Sequence, residues 1–514
     1  RSRIIMTPSQ PNPSEPPSEQ GSKLLSVSHW FKAVNLASVF GIIGKLLIGL
    51  SFTMCIPLGY SIIFSAGDWQ AFTVSAVATL LVGLLLTRLM DPSQEIYHRE
   101  GFAVVALVWV FFSICGSLPY MLAEPHHSFT DAIFETMSGF TTTGATIFTD
   151  IASHSRPILL WRSITQWLGG MGIIVLGIAI LPALGIGGMQ LFRAEVPGPT
   201  SDKLTPRIRD TAMILWKAYL LLTFICFALL WGFGMEPFYA VCHALCALSS
   251  GGFSPHNESI AYYESSVIHY ILIGAMFMAG MNFALHYQIS RGKLGNLFKD
   301  TELRIFFLVV IVSAGVICIK TLSLGVYSDI PTAIRDSLFT TVAIVTTTGF
   351  GTVDFESWPV VSQFLILLLM FTGGCAGSTA GGVKIIRLII LFKLLSQQIQ
   401  KLFHPKAIIQ LRVDHQVLSS EVFLSVLAFL IIYITSFGTG TLLMTSTGLD
   451  IVSAASATAS CLGNIGPGLG AVGPTDNYST ITTFGKWLLS FLMLLGRLEL
   501  LTVIVLFSPS FWRR

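Results

Sequence analysis

The chain has 514 residues, of which 53% are hydrophobic and only 11% are charged. Soluble globular domains carry about 25% charged residues, so this chain has too few charges to cover the surface of soluble domains. The composition therefore excludes a cytosolic enzyme, a disordered chain and a small secreted disulfide scaffold, and it predicts an all-α integral membrane protein. The formal net charge of +3 is too small to indicate a nucleic-acid partner.

A polar segment at the start of the chain is followed by hydrophobic stretches of about 20 residues, the length that an α-helix needs to cross a bilayer. Residues 1–33 contain the run PSQPNPSEPPSEQG and predict a disordered tail. Beyond them we expect ten membrane-spanning helices, of which the eighth is interrupted. They lie near residues 37–62, 70–90, 101–122, 158–181, 211–233, 266–288, 303–324, 359–400, 422–444 and 484–507.

The basic residues predict the orientation of the chain, because Lys and Arg accumulate in cytoplasmic loops. With a cytoplasmic N-terminus, the opposite loops hold only Arg156, Lys320, Arg335 and Lys486. The cytoplasmic side then holds Lys23, Lys32, Arg88, Arg99, Arg193, Lys203, Arg207, Arg209, Lys217, Arg291, Lys293, Lys299, Arg304, Lys401, Lys406, Arg412, Arg513 and Arg514. Both termini are therefore predicted to be cytoplasmic.

From residue 101 onward one unit recurs four times: a spanning helix, a short amphipathic segment, a glycine-centred polar loop and a second spanning helix. The short segments are DAIFETMSGF (131–140), PFYAVCHALCAL (237–248), AIRDSLFTTVAIV (333–345) and IVSAASATASCL (451–462). The loops read TTTGAT (141–146), SSGGFS (249–254), TTTGFGT (346–352) and GNIGPGLG (463–470). We align them on Gly144, Gly251, Gly349 and Gly466, and all four are predicted to face the outside.

The repeat spacing predicts how the chain is divided. We expect a two-helix N-terminal domain at 34–95 and pore repeats at 96–192, 193–290, 291–402 and 403–514, of which the third carries a broken inner helix. Four such repeats predict a pseudo-fourfold arrangement around one central pore.

Irregular backbone at membrane depth is tolerated only where it is buried in protein or lines a water-filled cavity. Four Thr/Ser-Gly loops around one axis offer backbone carbonyl oxygens that replace the hydration shell of an alkali cation. Glycine permits the φ angles that turn successive carbonyls toward that axis. The alternative, an ordinary extracellular turn, explains one such loop better than it explains four at matched positions.

Further motifs connect these loops to a known family. They are WLGGMGIIVLGIAILPALGIGGMQLFRAEVPGP (167–199), GGCAGSTAGGVKIIR (373–387), GNIGPGLG (463–470) and GRLELLTVIVLFSPSFWR (496–513). With the four loops, they make the chain resemble the Trk/Ktr/HKT superfamily of potassium transporters, and within it the TrkH/TrkG membrane subunits of bacterial Trk systems. The two helices before the first repeat favour TrkH over KtrB. The chain departs from the pattern of this family in two respects: its polar tail is long, and only the third loop carries the sequence TTGFG.

The resemblance implies a potassium-uptake subunit in the bacterial inner membrane, with K⁺ as the transported ion, no organic cofactor in this chain and no enzyme activity. It implies a homodimer in the lipid bilayer and a cytoplasmic, nucleotide-binding TrkA-type ring that moves the gate. It also implies the carbonyl groups that coordinate K⁺: those of Thr142, Thr143, Gly144, Ser249, Ser250, Gly251, Thr347, Thr348, Gly349, Asn464, Ile465 and Gly466. Because the four loops differ in sequence, we expect partial admission of Na⁺.

The part of the eighth span before its glycines is too short to cross the membrane as a helix. Residues 359–372 would form a helix about 21 Å long, whereas the hydrocarbon core is roughly 30 Å thick. The run GGCAGSTAGG follows, and glycine destabilises a helix interior by about 1 kcal/mol per residue. Helix is predicted to resume at Val383, with Lys384 and Arg387 on one face. We interpret the run as an intramembrane gate composed of Gly373, Gly374, Gly377, Ser378, Thr379, Gly381 and Gly382. The alternative is close helix packing through small residues.

Arg497 is predicted to lie in the inner half of the membrane, where a charged side chain usually faces a cavity. A guanidinium beside the ion path would repel K⁺, and the resemblance also implies a pore role for this residue. The alternative is snorkelling to the cytoplasmic interface. Glu135 is a second outlier, because a carboxylate buried in the first short segment needs a partner. Acidic residues near the outer mouth either concentrate cations or are solvated loop charges: Glu124, Asp131, Asp150, Glu258, Glu264, Asp354 and Asp476.

Two other transport mechanisms are open to such a chain. A symporter would couple K⁺ to H⁺ or Na⁺, but no relay of Asp or Glu along the spans is evident. An organic-solute transporter with broken helices would need inverted repeats and a binding pocket at the membrane midplane, whereas these repeats share one topology. The chain has no GxxxxGK[ST] motif for ATP hydrolysis.

Overall fold

The computed structural model describes residues 34–88, 98–179, 204–292, 295, 297–407, 410–413, 416–418 and 420–512. The predicted tail at 1–33 and Arg193, Lys203, Lys293, Arg513 and Arg514 of the predicted cytoplasmic set lie outside the described residues. The described residues are predominantly helical, as the sequence predicts.

The helices of the described part follow one another in this order: α1 (Leu36–Phe64), α2 (Trp69–Thr87), α3 (His98–Gly116), α4 (Leu118–Leu122), α5 (Phe129–Phe140), α6 (Arg156–Ala179), α7 (Leu204–Gly232), α8 (Pro237–Leu248), α9 (Ser266–Gly280), α10 (Phe283–Ser290), α11 (Thr301–Ser323), α12 (Ile330–Val345), α13 (Val360–Leu369), α14 (Ile385–Phe403), α15 (Ser420–Thr445), α16 (Ile451–Gly463), α17 (Thr483–Arg497), α18 (Leu501–Ile504) and α19 (Pro509–Trp512). Short 3₁₀ turns lie at Ser259–Tyr262, Phe355–Ser357, Gly470–Val472, Tyr478–Thr480 and Val505–Phe507. Two two-residue strands, β1 (Arg412–Val413) and β2 (Gln416–Val417), pair antiparallel between α14 and α15.

Six helices of the described part are long and apolar enough to cross a membrane, and two bent helix pairs raise the number to eight. They expose many large apolar side chains, including Phe52, Ile63 and Phe224, as helices that face lipid do. The chain is therefore a multi-pass membrane protein, and the count of ten spans stays a prediction.

The two predicted N-terminal helices are present as α1 and α2, which cross at close range. Gly44 on α1 and Gly83 on α2 each pack against backbone of the other helix, where a Cβ atom would collide. This close contact brings α2 against α1, and α1 in turn packs on α3 and α6.

Four short buried helices, α5, α8, α12 and α16, occupy the four segments that the repeats predict. Ser128, Asp329 and Asp450 cap three of them by accepting backbone N–H groups, and Pro237 begins the fourth. Capping side chains and proline at the first helical position are typical of helix starts. α5 packs against both α6 and α17, so that the first and last repeats are in contact.

Among the described residues three spans are broken, of which the sequence predicted one. The 359–400 span breaks as expected, although helix resumes at Ile385 and not at Val383, so Lys384 lies just before α14 and does not share a helical face with Arg387. The 266–288 span, predicted to be one helix, bends by 104° between α9 and α10 because Asn282 caps a new helix there. The 484–507 span bends by 111° between α17 and α18, where Glu499 and Leu500 both have positive φ.

Candidate functional site

The four glycine-centred loops adopt one backbone turn. In each, the residue that leaves the short helix has a positive φ: Thr142 (54°), Ser250 (55°), Thr347 (55°) and Asn464 (58°). Two residues later a glycine also has a positive φ: Gly144 (81°), Gly252 (78°), Gly349 (77°) and Gly466 (105°). The amide between them donates to a carbonyl five residues back, as from Thr143 to Ser138 (2.8 Å) and from Gly251 to Cys246 (2.9 Å).

This equivalence corrects the alignment of the second loop by one residue. The sequence aligned Gly251 with Gly144 and Gly349, and so placed Ser249, Ser250 and Gly251 in the site. In the structure Gly252 holds the matching positive φ, and the equivalent residues are Ser250, Gly251 and Gly252. Two adjacent glycines make the register ambiguous in the sequence, whereas the hydrogen-bond pattern of the folded loop decides it.

The four loops form a closed ring through their glycines. A Cβ atom added to Gly144 would collide with the carbonyl oxygen of Gly251 in the second loop. In the same way, a Cβ atom on Gly252 would collide with the Thr348 carbonyl oxygen, and one on Gly349 with that of Ile465. A Cβ atom on Gly466 would collide with the carbonyl oxygen of Thr143 in the first loop, which closes the ring. Each loop thus leans on a backbone carbonyl of the next, and only glycine combines the positive φ with this close approach.

Hydroxyl groups stabilise the conformation of individual loops of this ring. The hydroxyls of Thr141 and Thr143 are 2.8 Å apart, and those of Thr346 and Thr348 repeat the contact at 2.8 Å in the third loop. In the fourth loop, Ser460 and Tyr478 both donate to the carbonyl oxygen of Gly466 at 2.8 Å.

The side chain of Asn464 crosses from the fourth loop to the first. Its Nδ2 donates to Thr143 Oγ1 at 3.0 Å and to the Met493 carbonyl at 2.9 Å. Side chains at equivalent positions therefore differ in what they bind, and the ring has pseudo-fourfold rather than exact symmetry.

Arg162 supplies the partner that the buried carboxylate of Glu135 requires. Its Nε donates to Glu135 at 2.8 Å, and the side chains are 2% and 0% exposed. The same guanidinium donates to the Ser254 carbonyl at 3.0 Å and lies over the ring of Phe253, 4.1 Å from its centroid. Glu135 also accepts from Thr146 and from the amide of Ile147, so this ion pair joins the C-terminal parts of the first and second loops.

Two histidines lie near this ion pair, one just before α5 and one just before α6. Nε2 of His127 and Nε2 of His154 lie 2.8 Å apart. Burial, reinforced by the charge of Arg162, lowers the pKa of His154 to about 4. A histidine of that pKa is neutral near pH 7 and adds no positive charge beside Arg162.

The predicted gate residues form a compact loop, which we call the gate loop (370–384), between α13 and α14. The amide of Gly373 donates to the Val383 carbonyl at 2.7 Å, which closes the loop on itself. The amide of Cys375 donates to the Gly280 carbonyl at 2.8 Å, where α9 ends, and Gly377 accepts from Phe283. The gate loop thus packs against the break between α9 and α10.

Glu302, at the start of α11, connects the middle of the gate loop to the first turn of α14. One carboxylate oxygen accepts from the amide of Ala376 at 2.8 Å and from the amide of Ile386 at 3.0 Å. The side chain is buried, so these hydrogen bonds compensate part of the desolvation of a carboxylate.

Hydrogen bonds connect the gate loop to the ring. The hydroxyls of Ser250 and Thr379 are 2.8 Å apart, and the amide of Gly381 donates to Thr347 Oγ1 at 2.7 Å. Gly381 also packs against the Cβ of Asn464. The gate loop therefore contacts three of the four loops, in each case at the first residue with a positive φ.

Arg497 is buried against the gate loop. Its Nη1 donates to the Thr379 carbonyl at 2.7 Å and its Nη2 to the Gly169 carbonyl at 3.2 Å. The residue is only 2% exposed, so the guanidinium lies inside the protein instead of snorkelling to an interface. Two residues on, Glu499 forms an ion pair with Arg387 of α14, because the helix has ended and turned between them.

Of the acidic residues predicted near the outer mouth, Asp131 has a defined partner. Lys486 Nζ lies 2.6 Å from its carboxylate and also donates to the Ser479 carbonyl at 3.0 Å. This pair joins α5 to α17, so Asp131 is a structural ion-pair residue rather than a solvated loop charge.

Sequence reasoning missed Arg162, Gln166 and Glu302. Gln166 Nε2 donates to the Gly251 carbonyl at 2.6 Å, and its Oε1 accepts from Phe253 at 3.0 Å, so it braces the second loop from α6. Arg162 and Gln166 are four residues apart within a predicted span, and polar residues in a span are themselves a signal of function. Glu302 lies at a helix start, where an acidic residue has an ordinary explanation.

Comparison with known proteins gives consistent matches over most of the chain. Residues 69–514 match the TrkH family, described as cation transport proteins. The chain is 40% identical to the Trk system potassium uptake protein TrkH of Escherichia coli K12, over 93% of this chain and 100% of the relative. It is 38% identical to TrkG of the same organism, over 82% of this chain and 86% of that relative. The crystal structure of the potassium transporter TrkH from Vibrio parahaemolyticus superposes with a TM-score of 0.87 at 36% identity, covering 93% of this chain and all of that one.

Proposed function

This chain belongs to the TrkH family of cation transport proteins, which are transporters and not enzymes, and from this premise we propose that it is the K⁺-conducting subunit of a Trk potassium-uptake system. The similar proteins from Escherichia coli and Vibrio parahaemolyticus are named as potassium uptake proteins or transporters. We further propose that it acts in the bacterial inner membrane, as a homodimer with both termini in the cytoplasm.

One observation carries the proposal: four loops of similar backbone conformation pack against one another in a closed ring. Main-chain oxygen atoms arranged in this way are the ligands that select K⁺ in membrane proteins. With the corrected register, the proposed filter consists of residues 142–144, 250–252, 347–349 and 464–466. The four repeats that supply it are proposed to follow the two-helix unit at 34–95, at 96–192, 193–290, 291–402 and 403–514.

The gate loop and Arg497 are proposed to control conduction at the inner end of this filter. The gate loop contacts three of the filter loops, and Arg497 brings a buried positive charge to Thr379. A positive charge beside the path disfavours a passing cation, so displacement of the gate loop would permit flow. A cytoplasmic nucleotide-binding subunit of the TrkA type is the proposed partner that displaces it.

Growth rescue tests the proposed function. Expression of the chain in a bacterium that lacks its own K⁺-uptake systems, together with a TrkA-type subunit, is expected to restore growth at low external K⁺. In the same cells, uptake of ⁸⁶Rb⁺ should be inhibited by K⁺ at lower concentrations than by Na⁺. Failure to rescue growth with protein present in the membrane, or inhibition by Na⁺ as strong as that by K⁺, would overturn the assignment.

A further inference from the structure

We propose that Ser460 and Tyr478 are positioning residues that lower the selectivity of the filter, because they hold the Gly466 carbonyl away from K⁺. Three carbonyl ligands then remain where the four repeats offer four. We call this set of carbonyls the glycine level, and it comprises those of Gly144, Gly252, Gly349 and Gly466. The inference deepens the proposed function and rests on it, because it assumes that K⁺ passes between the four loops.

The Gly466 carbonyl oxygen is fully occupied by hydrogen bonds. Ser460 Oγ and Tyr478 Oη each donate to it at 2.8 Å, the usual length of an O–H···O hydrogen bond. A carbonyl oxygen has two lone pairs, and these two donors use both. A cation that approaches this oxygen would meet the positive ends of two O–H bonds, so it would have to displace a donor before the carbonyl could bind it.

The other carbonyl groups of the glycine level keep their lone pairs for an ion. From the described residues, no hydrogen bond reaches the carbonyl oxygens of Gly144, Gly252 or Gly349. One position earlier in the second loop, the Gly251 carbonyl accepts a single donor, Nε2 of Gln166, and so retains one lone pair. The fourth loop therefore differs from the other three in the ligand that its glycine offers.

The backbone of the fourth loop departs from the common turn at the same residue. The φ angle of Gly466 is 105°, whereas the other three glycines of this level have φ between 77° and 81°. Only the fourth loop continues with a proline, Pro467, and a proline restricts the conformation of the residue before it. Because φ helps to set the direction of a residue's own carbonyl group, this difference agrees with a Gly466 oxygen that faces its two donors.

Tyr478 is held in place by the first repeat. Its amide donates to the Thr146 carbonyl at 2.8 Å, and its ring centroid lies 5.5 Å from that of Phe134 on α5. These contacts do not involve the hydroxyl group, so they direct it toward Gly466 independently of the hydrogen bond that it makes there. Tyr478→Phe therefore removes the donor and preserves the packing of the ring.

Ser460 lies four residues before Asn464, the first positive-φ residue of its loop. The equivalent residue of the first repeat is Ser138, whose buried Oγ has no hydrogen-bond partner among the described residues. Cys246 and Ala343 occupy this position in the second and third repeats. Donation to the glycine carbonyl is thus particular to the fourth repeat, and Ser138 supplies a matched control with the same side chain.

The loss of one ligand accounts for the partial admission of Na⁺ that the sequence predicts. The number and field strength of the carbonyl dipoles contribute to the preference of such a filter for K⁺. The larger K⁺ takes more oxygen ligands than Na⁺, so three carbonyls discriminate less than four. Release of the Gly466 carbonyl is therefore expected to raise the preference for K⁺, whereas general loosening of the loop would lower it.

Ion competition in liposomes tests this inference with Ser460→Ala, Tyr478→Phe and the double variant of the full chain, each with a TrkA-type subunit. Inhibition of ⁸⁶Rb⁺ uptake by Na⁺ and by K⁺ would be compared. Each substitution removes one neutral hydrogen bond, so the ratio of the Na⁺ to the K⁺ concentration at half-inhibition should rise roughly 2- to 10-fold, and most in the double variant. Ser138→Ala should keep the parent ratio. An unchanged or lower ratio in the double variant, or an equal rise in Ser138→Ala, would overturn the proposal.

The parent protein distinguishes failure of this inference from failure of the proposed function. Uptake with a preference for K⁺ in the parent, and no rise of the ratio in the variants, would refute only the role of Ser460 and Tyr478. Absence of uptake in the parent would refute the proposed function, and this inference with it. If the double variant does not reach the membrane, Tyr478→Phe alone decides, because it keeps the ring and amide contacts, and a ratio that does not rise refutes the inference.

Discussion

At the scale of single residues, the ring of loops depends on the absence of a Cβ atom in glycine. Gly349 has a φ of 77°, and a Cβ there would collide with the Ile465 carbonyl of the next loop. Two residues later in the same loop, Gly351 faces open space. The loop therefore contains a glycine that the ring requires and one that it does not, which makes a matched pair for mutagenesis.

Gly349→Ala is expected to reduce K⁺ uptake at least about tenfold or to abolish the preference for K⁺ over Na⁺. The left-handed conformation alone costs a side chain roughly 1–2 kcal/mol, and the collision adds to it. Gly351→Ala is the control and should transport at the parent rate. Uptake of ⁸⁶Rb⁺ with and without competing Na⁺, in cells with equal membrane expression, checks both variants. Equal behaviour of the two would contradict a steric role for Gly349 in the ring.

At the scale of elements, three neighbouring helices form hydrogen bonds with the gate loop at their ends. The end of α9 accepts from the gate loop at Gly280, the start of α11 fastens it through Glu302, and the end of α17 reaches it through Arg497. Because α17 stops at Arg497, Glu499 can turn toward Arg387 on α14. This ion pair thus connects α14, which follows the gate loop, to the break after α17, where Arg497 lies.

Arg497→Ala is expected to raise cation flux through the path about tenfold without abolishing selectivity. The substitution removes a positive charge and the charge-assisted hydrogen bond to Thr379, which is worth roughly 1.5–3 kcal/mol. Arg497→Lys keeps the charge but loses the planar, two-sided donation and should give an intermediate flux. Fluxes of K⁺ and Na⁺ into liposomes measure both quantities. Unchanged or reduced flux in a well-folded Arg497→Ala protein would contradict the barrier.

At the scale of the whole molecule, four similar units enclose one axis and leave no exposed ring edge. Contact between α5 and α17 joins the first repeat to the last, as Gly466 joins the last loop to the first. Repeats of equal topology place all four loops on the same side of the membrane. The asymmetry of Lys and Arg predicts that this side is the outside.

Labelling of introduced cysteines tests that orientation. In intact cells, a membrane-impermeant thiol reagent is expected to label Glu258→Cys, in the exposed segment after the second loop, and not Lys406→Cys, which is exposed after α14. Opening the cells should make Lys406→Cys reactive, and the parent protein gives the background of its native cysteines. The reverse pattern in intact cells would invert the topology and place the gate loop toward the outside.

The sequence alone determined the features that depend on neighbours along the chain. Hydrophobic length predicted spanning helices, the repeat spacing predicted the four short buried helices, and the glycine run at 373–382 predicted a break in the eighth span, because each of these is a property of consecutive residues. Contacts between distant residues were decided only by the tertiary structure. The Arg162–Glu135 pair, the contact of the gate loop with the end of α9 and the packing of Gly252 against the Thr348 carbonyl all depend on partners from other elements, whose positions are settled only when the helices pack.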